Sequence, residues 1–84
     1  MKKRLLLIDN ESDFLETRRE PLEKAGYEVL TAVSLEEGYV VLRSRYVHLA
    51  SVDVRMVDDD SPTDISGLSL VRDPEFAHIV KIVL

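Results

Sequence analysis

At 84 residues, with 45% hydrophobic and 32% charged side chains, the chain has room for a single globular domain, one that buries a smaller share of its surface than an average-sized domain does. No apolar run approaches the roughly 20 residues of a membrane span, so no membrane partner is expected. The net charge of −5 argues against a broad electrostatic footprint on nucleic acid, and the lack of cysteine excludes disulfides, thiolate metal sites and cysteine nucleophiles.

The chain opens on Met1-Lys2-Lys3-Arg4, a basic start followed by only Leu5-Leu6-Leu7-Ile8 before Asp9. That run is far shorter than the roughly 7–15 apolar residues of a secretory leader, so a cytoplasmic location is expected. Residues 4–8 instead read as a buried strand, since a short continuous apolar run fits the centre of a parallel sheet. Asp9-Asn10-Glu11 then form a loop. Ser12 can cap a helix running to about Ala25, with Phe14, Leu15, Leu22 and Ala25 near its inner face and Gly26 ending it. Pro21 inside that helix removes the bond to the Thr17 carbonyl, which predicts a kink without a break.

Tyr27 to Ala32 read as a second strand, and Ser34-Leu35-Glu36-Glu37 is a capping box that opens a second helix, to about Ser44. Gly38 is either a weak point of that helix or a close packing contact. His48 to Asp53 form a third strand, followed by a long polar segment from Arg55 to Ser66 that carries Asp58-Asp59-Asp60, Pro62 and Asp64. A short helix over about 67–72 and a strand over about 79–84 follow. The order β-α-β-α-β-α-β calls for a parallel sheet with helices on both faces.

In such sheets ligands bind outside the carboxyl ends of the strands. Asp9 and Asp53 both fall at such ends, and neighbouring strands lie roughly 4.8 Å apart, so the two carboxylates can share one divalent ion. Either aspartate alone is more often a turn or capping residue; the matched pair is what points to a cation site. Hard oxygen donors favour Mg²⁺. A cation there would neutralise Asp53 and let its carboxylate attack phosphorus. No G-x-G-x-x-G or G-x-x-x-x-G-K-[ST] is present, and the acidic run 58–64 fails the calcium-loop spacing and reads as a solvated loop. His48 and His78 precede apolar runs and read as strand-edge residues.

These residues resemble the receiver domain of response regulators, the phosphoacceptor module of two-component signalling. Leu5-Leu6-Leu7-Ile8-Asp9-Asn10-Glu11 is similar to its first strand and acidic turn, and Ala25-Gly26-Tyr27-Glu28-Val29 to the junction into its second strand. Val52-Asp53-Val54-Arg55-Met56 resembles the phosphorylation segment, Ser66-Gly67-Leu68 the start of the third helix, and Ile79-Val80-Lys81-Ile82-Val83-Leu84 the fourth strand.

The resemblance implies a flavodoxin-like (CheY-like) fold with strand order 2-1-3-4, incomplete over residues 1–84, because the last helix-strand-helix portion would be lacking. It implies that Asp53 accepts a phosphoryl group from a histidine kinase or phosphotransfer protein. Asp9, Asn10, Asp53 and the Arg55 backbone carbonyl would hold Mg²⁺. The chain would then be a kinase substrate, not an enzyme, with an output domain as a further partner. Asn10 stands where the family usually has a second acid, Val57 replaces the usual proline, and the 57–66 loop is longer than usual.

The family's switch hydroxyl and the lysine of its fifth strand would lie beyond Leu84. An exposed fourth-strand edge would favour a homodimer through that edge or a domain-swapped assembly, unless the chain is only part of a longer protein. The alternative is a pseudo-receiver that acts through binding alone, without phosphorylation. A haloacid-dehalogenase-type hydrolase also uses an aspartyl phosphate, but its D-x-D pattern is absent, since Arg55 stands two residues after Asp53.

Overall fold

The computed structural model describes residues 2–53 and 68–83. The elements are β1 (Arg4–Ile8), α1 (Ser12–Lys24), β2 (Glu28–Ala32), α2 (Leu35–Ser44), β3 (Leu49–Val52), α3 (Leu68–Val71), a 3-10 turn (Pro74–Phe76) and β4 (Val80–Val83). The strands form one parallel sheet, as the sequence pattern predicts, in the order β2-β1-β3-β4 that the resemblance implies.

Alternation along the strands sends Leu6, Ile8, Ala50 and Val52 to one face, where they pack with Leu42 of α2, Val47, Leu70 of α3, Phe76 and Ile79. Leu7 and Val29 point to the other face, against Leu15 and the half-buried Leu22 of α1. The two faces are covered unequally. The α2 side is closed, whereas beside α1 an open apolar groove of about 770 Å³ runs over β3 and β4, lined by Leu5, Pro21, Leu22, Leu49, Val80 and Ile82. Val80 and Ile82 are 62% and 46% exposed, an unusual state for aliphatic strand residues.

Local expectations meet several corrections. Ser12 is the first helical residue and not the cap; Glu11 occupies the N-cap without a side-chain capping bond. Helix α1 passes through Pro21 unbroken. Phe14 and Ala25 lie on its exposed side, and Phe14 carries the Arg18 guanidinium 5.4 Å from its ring centre. At α2 the Ser34 hydroxyl accepts from the Glu37 N–H at 3.1 Å, but Glu37 returns its bond to the Val33 N–H instead of Ser34. Gly26, at φ +100°, makes the left-handed turn that ends α1 and is the type of residue that position needs.

Gly38 is a packing contact: a Cβ placed there would sit 2.8 Å from Cδ1 of Ile8. The 3-10 turn was not foreseen. Asp73 caps it by accepting from the Glu75 N–H, and it sets the buried Phe76 under β4. Lys81 then closes the turn by donating to the Phe76 and Ile79 carbonyls.

Candidate functional site

Strand pairing brings the predicted residues to one end of the sheet. Ile8 and Val52 are register partners, and the ladder continues one step further, since the Asp53 N–H donates to the Ile8 carbonyl at 3.0 Å. On the other side the Asp9 N–H donates to the Ala32 carbonyl at 3.1 Å. Asp9 and Asp53 therefore leave the carboxyl ends of adjacent strands side by side, with backbones roughly 4.8 Å apart.

Asp9 is 7% exposed and is the buried charged residue among those described. Its Oδ1 accepts from the Glu11 N–H at 2.9 Å, which tightens the loop into α1, and its Oδ2 lies 3.8 Å from Nη1 of Arg18. Asn10 is half-buried with its carboxamide oxygen inside, Asp53 is half-buried, and Glu11 is exposed. Arg55 and the acidic 57–66 loop lie outside the described residues. No group of three or more His, Cys, Asp or Glu with metal-holding geometry occurs among the described residues. Two carboxylates and an amide oxygen nevertheless suit Mg²⁺, which is commonly held by one or two carboxylates and keeps several waters.

Arg18, on α1, is a site contribution that the sequence pattern does not single out. The Phe14–Arg18 spacing of four residues was the available signal, because that spacing stacks a cation on an aromatic ring along a helix. The two histidines are uninvolved: His48 accepts the Arg4 N–H through Nδ1 at the opposite end of the sheet, and His78 is exposed. At that opposite end Glu28 binds both Arg4, at 2.8 Å, and Arg45, at 3.2 Å. Its carboxyl is held below the ordinary range, chiefly by the Arg4 hydrogen bond.

A receiver domain from Methanospirillum hungatei JF-1, described as CheY-like, matches the chain with a TM-score of 0.78 and 30% identity over 99% of this chain and 63% of its own. Over nearly its whole length the chain is similar to the receiver domains of response regulators. A response regulator from Thermotoga maritima has the same fold, with a TM-score of 0.82 at 24% identity, over 99% of this chain and 66% of that one. By sequence the chain is 32% identical to the photosynthetic apparatus regulatory protein RegA of Cereibacter sphaeroides over 76 residues, 90% of this chain and 41% of RegA.

It is also 39% identical to the alginate biosynthesis transcriptional regulatory protein AlgB of Pseudomonas aeruginosa over 57 residues, 68% of this chain and 13% of AlgB. The chain thus spans less than half of the length of these curated relatives. No protein-family model matches it. Its relatives are regulators by name, and no described helix is long and apolar enough to cross a membrane.

Proposed function

We propose that the chain is a phosphoacceptor receiver in which Asp53 takes a phosphoryl group from the phosphohistidine of a kinase or phosphotransfer protein. The observation that carries this reading is the in-register emergence of Asp9 and Asp53 from paired strands, with Asp9 buried. A carboxylate oxygen of Asp53 bonds to phosphorus as the phosphorus–nitrogen bond of the donor breaks, and the released imidazole takes up a proton. Asp9, Asn10, Asp53 and the Arg55 carbonyl would hold Mg²⁺, which when bound neutralises charge on the phosphoryl oxygens. Asp9 is fixed for this role by the Glu11 N–H, and the β1–β3 ladder fixes the Asp53 backbone.

In this reading the domain is a cytoplasmic kinase substrate, not an enzyme, and hands its signal to an output domain. On the same reading the exposed Val80 and Ile82 of β4 are where a homodimer, or a further segment of a longer chain, would pack. The test is incubation with Mg²⁺ and acetyl phosphate, followed by mass measurement. A gain of one phosphate that hydroxylamine removes, and that Asp53→Ala abolishes, is the expected result; no gain would overturn it. A pseudo-receiver acting by binding alone is the second reading, favoured by the neutral Asn10 and by the arginine beside Asp9.

A further inference from the structure

Arg19 pairs with Glu16 and Glu23, and Lys24 with Glu20, all along the surface of α1. Arg18 differs. Its ion pair leaves the helix for Asp9, at 3.8 Å, while its guanidinium rests on Phe14, 5.4 Å from the ring centre. The acceptor side chain is 11% exposed, so the pair is screened less by solvent than its neighbours along the helix. Phe14 is 52% exposed and outside the core, which leaves support of the arginine as its visible contact. The aromatic platform restrains a long side chain that would otherwise lose entropy on pairing.

We infer that Arg18 is a built-in counter-ion of the acidic pair that competes with a divalent cation for Asp9 and so sets a high Mg²⁺ threshold for the site. The inference rests on the phosphoacceptor reading above and adds a control to it. Asn10 is neutral, and Arg18 sets a positive charge 3.8 Å from an Asp9 oxygen, against the charge that would draw a cation there. A cation must therefore displace or share Asp9 with the guanidinium before it can bind fully. Phe14 acts on the metal only through Arg18 and is a positioning residue.

The experiment is a Mg²⁺ titration of the full chain followed by the backbone amide resonances of Asp9, Asn10, Glu11 and Asp53 at fixed ionic strength. Arg18→Gln should bind Mg²⁺ roughly two- to five-fold more tightly than the parent, the range that partly exposed ion pairs support. Arg18→Lys keeps the charge and should stay close to the parent, while Phe14→Ala should fall between parent and Arg18→Gln. Binding by Arg18→Gln where the parent shows none also supports the inference. Equal or weaker binding by Arg18→Gln overturns the counter-ion role and leaves the phosphoacceptor reading standing. Absence of any Mg²⁺ response in both proteins overturns the metal-dependent reading and the counter-ion role together.

Discussion

Gly38 and Ile8 should be energetically coupled, and the coupling can be sized from their contact. An alanine Cβ at Gly38 would lie 2.8 Å from Cδ1 and 3.4 Å from Cγ1 of Ile8, and 3.6 Å from Cδ1 of Leu70. Alanine gains about 1 kcal/mol of helix propensity over glycine. Overpacking a closed core costs about 1–3 kcal/mol, so Gly38→Ala alone should destabilise by about 0–2 kcal/mol. Ile8→Val removes the clashing Cδ1 and by itself costs about 0.5–1.5 kcal/mol.

In the double variant the clash is relieved and the propensity gain remains, which returns stability to within about 0.5 kcal/mol of the parent. The expected coupling is thus about 1–3 kcal/mol, read from urea unfolding of all four proteins. Additivity to within about 0.5 kcal/mol would refute the packing argument. The functional consequence is local, because the Ile8 carbonyl receives the Asp53 N–H and Ile8 precedes Asp9.

Other expectations follow from the same geometry. Leu6→Ala removes a fully buried side chain of the closed face and should cost about 2–5 kcal/mol, enough to shift the chemical-denaturation midpoint sharply or unfold so small a domain. Because the folded Glu28 carboxyl sits below its ordinary value of 4.5, its contribution is present above that pH and is lost as pH falls through the lower folded value. Glu28→Gln should therefore flatten the stability profile below about pH 4.5 in urea titrations across pH, a modest change because the group is screened by solvent. Val80→Lys with Ile82→Lys should reduce self-association in light scattering at high concentration, with thermal stability nearly unchanged because both residues are exposed.

Continuous apolar runs ending in carboxylates were sufficient to read the parallel sheet and the emergence of Asp9 and Asp53 from neighbouring strand ends, because strand pairing depends on backbone ladders that the apolar pattern specifies. The capping box at Ser34 was legible for the same local reason. Helix rotation was harder: Phe14 is apolar at a plausible inward spacing, yet α1 needs only Leu15 and Leu22 against Leu7 and Val29. The remaining apolar residue turned outward and found an arginine. Arg18 was invisible as a site residue because its partner is nine positions earlier, across a loop whose course the Asp9–Glu11 bond determines. The 3-10 turn was missed since Asp73-Pro74 reads equally as a simple loop.

The unequal faces separate two properties of the domain. Ile8 and Val52, 2% and 0% exposed, immediately precede the two site aspartates and are clamped by the α2 side, so the positions of Asp9 and Asp53 depend on a closed, densely packed layer. The groove beside α1 touches that layer only through the sheet itself, and its exposed Val80 and Ile82 support no site residue directly. If the proposed phosphoacceptor reading holds, substitutions of Val80 and Ile82 should leave acetyl phosphate labelling of Asp53 intact, and core substitutions beneath Ile8 should reduce it. Arg18 is the exception, because it lines the groove and also pairs with Asp9.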